Sequence, residues 1–163
     1  TNHHSSAASD VYKRQILMSK TIVLATDHAG FELKEHVKKF LSEKGYNVKD
    51  FGALEYDALD DYPDFILPAA KYIAEHNLIG IIFGGSGQGE AMAANRVKGI
   101  RAAVFYNGPS EIVELSRIHN NANILSIGAR FLSNQDAESI IELWLSTDFE
   151  AGRHAQRIEK LDS

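Results

Sequence analysis

The chain has 163 residues, 44% of them hydrophobic and 24% charged, which fits one globular domain with an adequate core and leaves too little chain for a second. Twenty-two acidic against 17 basic side chains give a net charge of −5, a field that does not attract nucleic acid, so a small anionic ligand would need a local basic pocket. The absence of cysteine excludes disulfides and thiolate catalysis and fits a reducing cytoplasm, and no apolar run approaches the roughly 20 residues of a membrane span.

Residues 1–17, TNHHSSAASDVYKRQIL, are polar and aperiodic, and they read as a non-native or disordered leader, with Met18 as the expected start and 18–163 as a single domain. His3 and His4 then belong to a tail and not to a metal site. Thr21 to Thr26 (TIVLAT) predicts the first strand. From Phe31 to Lys44 the apolar positions Leu33, Val37, Phe40 and Leu41 recur at helical spacing, and Gly45 stops that helix. Tyr46 to Phe51 predicts a second strand, followed by an acidic loop and a helix opening near Tyr62-Pro63. Ile79 to Phe83 predicts the third strand, with a helix from about Gln88 to Arg96. Arg101 to Tyr106 reads as strand four, Pro109 to Ile118 as a helix and Ile124 to Ile127 as strand five. Asn134 to Leu145 and Asp148 to Leu161 predict the last two helices.

Strands alternating with helices imply an α/β fold, because parallel strands need crossovers that pack on the sheet. The expectation is a three-layer Rossmann-like sandwich with a five-stranded parallel sheet and an extra C-terminal helix. Ligands of such sheets lie beyond the carboxyl ends of the strands. Three loops qualify: Asp27-His28-Ala29-Gly30, Gly84 to Glu90, and Gly128-Ala129-Arg130.

The loop GGSGQGE at 84–90 is neither of the familiar nucleotide motifs. A dinucleotide fingerprint starting at Gly85 and Gly87 would put Glu90 at its third glycine, and a P-loop would need Lys followed by Ser or Thr after Gly89. Main-chain N–H groups at a helix start still attract anions. Glu90 itself has two readings, a base or an acid in a first helical turn worth about 0.3–1 kcal/mol as dipole support. Arg153 and Arg157, four apart, share one helix face, either to hold an anion or as a solvated face paired with Glu150. Asp27 is a candidate cap, a lone His119 is most simply structural, and Tyr62 before Pro63 suits a packed helix entry. His36 and His76 read as surface residues, and Trp144 with Leu143 and Leu145 as core or interface. No HExxH or other metal-ligand spacing occurs, so no metal and no cofactor are expected.

Six segments in order bring these positions together: ATDHAGFELK at 25–34, DDYPDF at 60–65, GGSGQGEAMAANRVKGIRAA at 84–103, HNNAN at 119–123, GAR at 128–130 and RHAQR at 153–157. On these the chain closely resembles the ribose-5-phosphate isomerase B family, which also includes the galactose-6-phosphate isomerase subunits, over essentially everything after Met18. Many members carry a cysteine base at the position of Gly84; this chain resembles the subgroup whose glutamate, here Glu90, is the base. The resemblance implies aldose-ketose isomerisation, most simply D-ribose 5-phosphate to D-ribulose 5-phosphate through a cis-enediolate held by the N–H groups of Gly85, Gly87 and Gly89, with help from Ser86. It implies ring opening by His119 beside Asp27, orientation of sugar hydroxyls by Asn120, a phosphate pocket of His28, Arg130, Arg153 and Arg157, and Tyr62 lining the substrate. It also implies a homodimer, or a dimer of dimers, in which the phosphate arginines and His119 reach into the neighbour's site. Other phosphosugars, such as a tetrulose phosphate, allose-6-phosphate or galactose-6-phosphate, remain open. So does a non-catalytic module that binds a phosphorylated metabolite, though that would need no Glu90, His119 and Asp27 together.

Overall fold

The computed structural model describes residues 20–163; the expected leader, the start at Met18 and the two tail histidines lie outside the described residues. Five strands, β1 (Thr21–Thr26), β2 (Asn47–Asp50), β3 (Ile79–Gly84), β4 (Ala102–Phe105) and β5 (Ile124–Gly128), form one parallel sheet in the order β2-β1-β3-β5-β4. Six helices connect and flank them: α1 (Phe31–Glu43), α2 (Pro63–His76), α3 (Gln88–Ala94), α4 (Glu111–Ile118), α5 (Asn134–Ser146) and α6 (Arg153–Glu159). The fold is the expected Rossmann-like α/β sandwich.

Strand side chains alternate between two cores, as the pleat requires. Ile22, Leu24, Ile81, Phe83, Leu125 and Ile127 meet α1, α4 and α5 on one face, where Trp144 is fully buried. Val23, Ala25, Ile82 and Ile124 meet α2 on the other, with Ala94 of α3. Trp144 is therefore core within one chain. Helix α5 starts where Ser133 Oγ accepts the Asp136 N–H at 3.1 Å, and α2 ends at Asn77 in the left-handed region.

Most predicted elements differ from the observed ones by a residue or two at their ends, and two differences have a clear local cause. Tyr46 donates its N–H back to Leu41 O of α1, so β2 begins one residue later than expected. The last helix does not run from Asp148 to Leu161: Ala151 and Gly152 have φ of 63° and 62°, which no right-handed helix accommodates, and α6 starts only at Arg153.

The chain leaves β1 for one side of the sheet and β3 for the other, so a crevice opens between their carboxyl ends. Lys34, fully buried in α1, stiffens that end. Its Nζ donates to Asp50 Oδ2 at 2.7 Å and to Ala53 O at 2.6 Å. The segment so held pairs with the last residue of β1, through Thr26 N to Gly52 O at 2.7 Å and Ala53 N to Thr26 O at 2.8 Å. The next residue is Asp27.

Candidate active site

At the carboxyl edge of the sheet, β3 runs directly into the glycine loop. Gly87 adopts φ of 81°, and a Cβ there would press on the backbone of Ile127 and Gly128, so only glycine lets the loop lie against the end of β5. Ser126 Oγ fastens the loop by donating to Gly87 O at 2.6 Å. Glu90 occupies the first turn of α3 and is only 5% exposed. Its carboxyl group fills the space that a Cβ on Gly84 would need. Burial raises the Glu90 pKa above its ordinary range and the nearby Asp27 carboxylate adds to this, while the main-chain N–H of Glu90 pulls the other way. Of the two forces acting on an acid at a helix start, burial dominates.

Asp27 is buried at the end of β1 and accepts the Ala29 N–H at 3.0 Å, capping a short 3-10 turn at His28–Gly30. It sits beside Glu90 and caps that turn, not helix α1. His28 Nδ1 lies 2.7 Å from Asp60 Oδ1, and the same oxygen accepts the His28 main-chain N–H at 3.0 Å. This hydrogen bond raises the His28 pKa, so the imidazole holds its proton to higher pH. The Tyr56 ring stands edge-on to it at 6.2 Å. Arg130 donates its N–H to Gly85 O at 3.1 Å and lays its guanidinium beside Gly85. Tyr62 places its phenol over Gly89, at once a packed helix entry and a wall of the crevice. Ser86 Oγ meets the Gln88 N–H only at 3.4 Å, too long for a firm cap.

The other predicted residues lie elsewhere in the chain. Helix α4 runs back along the sheet, so His119 at its C-terminus and Asn120 precede β5 and sit at the amino edge, roughly 16 Å of strand from the glycine loop. There His119 and Asn120 share a hollow with His154 and Arg157 of α6. Arg153, one turn earlier on α6, is exposed like Arg157, and among the described residues neither guanidinium is paired with Glu150 or another carboxylate. One chain thus brings Asp27, His28, Tyr62, Gly85 to Glu90 and Arg130 together. It does not bring His119, Asn120, Arg153 or Arg157 to them, and Asp27 and His119 do not meet within it.

Asp60 and His154 fall inside the quoted segments, but sequence reasoning assigned neither a role. The Asp60–His28 contact spans 32 positions, and no local spacing reveals it. Nor does spacing show that two donor sets converge in space: Asp27, His28 and Asp60, and His119, Glu150 and His154, each with ligand atoms within 4.8 Å of one another. In the first set Asp27 Oδ1, His28 Nδ1 and Asp60 Oδ1 take part in the hydrogen bonds above, while Asp60 Oδ2 is buried without a partner. In the second the imidazoles lie ring over ring, 4.4 Å apart and 20° from parallel. No helix among the described residues is long and apolar enough to cross a membrane.

The sequence pattern of the ribose/galactose isomerase family matches residues 22–161. Ribose-5-phosphate isomerase B of Mycolicibacterium paratuberculosis is 42% identical over 142 residues, covering 86% of this chain and 88% of that protein. A crystal structure of ribose-5-phosphate isomerase B from Mycoplasma genitalium, with ribulose-5-phosphate bound, superposes with a TM-score of 0.84 at 39% identity, covering 88% of this chain and 95% of that one. The Clostridium thermocellum ribose-5-phosphate isomerase B superposes with a TM-score of 0.82 at 41% identity, covering 87% and 95%.

Proposed function

The chain belongs to the ribose/galactose isomerase family, and on that premise we propose that it interconverts D-ribose 5-phosphate and D-ribulose 5-phosphate, with Glu90 as the base. Isomerisation removes the proton on C2 of the open-chain aldose, leaving a cis-enediolate, and returns a proton to C1 while another passes from O2 to O1. A single carboxylate can carry the carbon-bound proton both ways. The observation that carries the reading is the buried Glu90 carboxyl group, set in the volume that a side chain at position 84 would otherwise take. Burial fits the role, since a base whose pKa is moved up toward neutrality is stronger while still largely ionised. The main-chain N–H groups of Gly85 to Gly89 are the donors for the enediolate oxygens, with Ser86 free to add its hydroxyl because its hold on Gln88 is loose. His28, whose proton Asp60 helps to hold, and Arg130 receive the phosphate.

The remaining parts come from a second copy of the chain. His119 opens the sugar ring beside the other chain's Asp27, Asn120 orients the hydroxyls, and Arg153 and Arg157 complete the phosphate pocket. What supports this is their placement at the far edge of the sheet from Glu90, with Asn120, Arg153 and Arg157 exposed and neither arginine paired with a carboxylate among the described residues. Exposed Met92, Tyr106, Ile112 and Phe131 offer apolar surface for such a pairing.

A coupled isomerase assay over four- to six-carbon sugar phosphates tests the substrate: turnover should be fastest with ribose 5-phosphate, and preference for a six-carbon phosphate would overturn that assignment. Glu90→Gln should abolish exchange of solvent protons into the sugar while leaving binding intact. Retained exchange would refute Glu90 as base.

A further inference from the structure

His154 stands between the two arginines of α6, yet it faces inward. It is 9% exposed, and its imidazole lies flat on that of His119, with centroids 4.4 Å apart and planes 20° from parallel. Among the described residues no hydrogen bond from a side chain holds either ring, so the face contact is what fixes the tilt of His119. Two imidazolium rings could not stack in this way, because like charges at that distance repel. Burial holds the His154 imidazole below its ordinary pKa, helped by His119, Arg153 and Arg157 and opposed only by Glu150. These are the charged groups that face it from α4, from α6 and from the segment before α6. A neutral ring leaves its neighbour free to gain and lose a proton above an uncharged aromatic face, which also attracts the cationic form.

We infer that His154 is a positioning residue for the ring-opening step, a fixed aromatic platform that holds His119 in the orientation needed to move a proton between ring oxygen and sugar hydroxyl. The inference rests on the isomerase reading above and deepens it. It separates two steps of the same reaction, ring opening and proton transfer on carbon. D-Ribose 5-phosphate is mostly cyclic and must be opened before Glu90 can act. D-Ribulose 5-phosphate carries its phosphate on the oxygen that would close a five-membered ring, so it arrives open, and the aldose formed from it can close in water after release.

The test compares net turnover with exchange of the C1 hydrogen of ribulose 5-phosphate into solvent, which needs the base and no ring opening, for the full-length protein and its His154→Ala and His154→Phe variants. His154→Ala should lower kcat/KM for ribose 5-phosphate by about tenfold while leaving C1 exchange within about twofold of wild type, since a displaced catalytic group costs one to two orders of magnitude in the step it serves. His154→Phe keeps the face without the charge and should restore turnover to within about twofold of wild type. Equal losses in turnover and exchange, or turnover untouched by removal of the ring, would overturn the assignment. Should His154→Ala fail to fold, His154→Leu, which fills the space without a flat face, replaces it in the same comparison. A wild-type protein that turns over neither sugar would overturn the isomerase reading and this inference with it, whereas an active wild type with equal losses in turnover and exchange overturns the inference alone.

Discussion

At the carboxyl edge of the sheet the two acids, Asp27 and Glu90, are short and buried; at the amino edge Arg153 and Arg157 are long, cationic and exposed. Asp27 follows the end of β1 and Glu90 opens α3, both held in place by the Lys34 contacts and the packed glycine loop. Arg153 and Arg157 project from a seven-residue helix with few neighbours. On the proposed function, the difference matches the work each end would do. Moving a proton on carbon needs a base placed to a fraction of an ångström and removed from water, whereas gripping a phosphate dianion needs charge and reach.

The sharpest way to break that contrast is to remove the buried acid. Glu90→Gln should lower kcat by about 10²–10⁴-fold, the usual worth of a positioned base, and steady-state assays in both directions would show it. The same variant should be more stable than wild type at neutral pH. The folded-state pKa of Glu90 lies above the ordinary 4.5, so its favourable contribution is complete below that value and disappears as pH rises through the raised one. Thermal unfolding at pH 7 should therefore rise with Gln and coincide with wild type well below 4.5. At the opposite edge, Arg157→Glu should raise KM by about 10–100-fold with a smaller change in kcat, as expected for losing a charge-assisted phosphate contact. An unchanged KM would return Arg157 to a solvated helix face.

Whether the two ends cooperate between chains can be asked by mixing. Glu90→Gln and His119→Asn proteins, each inactive alone, should recover about one quarter of wild-type activity after co-refolding, because half of the random dimers carry one intact site of two. No recovery would mean that each chain works alone. The smallest effect should come from Asp60→Asn. Asp60 raises the His28 pKa, so in the variant the imidazole loses its charge nearer the ordinary 6.5. KM should then exceed that of wild type by at most about fivefold, only between that value and the raised one, with no difference at lower pH.

The sheet, its helices and the three ligand-facing loops were legible because each rests on local pattern: alternating runs such as TIVLAT, apolar positions three and four apart, and glycine at a turn. Helix α6 was overextended because the positive φ of Ala151 leaves no trace in an alanine. The resemblance supplied Glu90, His119 and the arginines and implied their division between two subunits; local pattern shows nothing of their grouping within one chain. That depends on which end of a strand each residue precedes or follows, and the register of β5 against β3 decides it. Asp60 and His154 stayed without roles for a related reason: their partners are 32 and 35 positions away in the chain, and contacts of that kind exist only after the strands have paired.

Gly84 and Glu90 illustrate a constraint on how such a protein can change. A side chain at the first position and the carboxyl group of the second would claim the same volume. A lineage exchanging a base at 84 for one at 90 would thus cross an intermediate that is either sterically blocked or has no base at all. Whichever residue arrives first is entrenched by its neighbour, and laboratory evolution that samples one codon at a time should find neither route uphill.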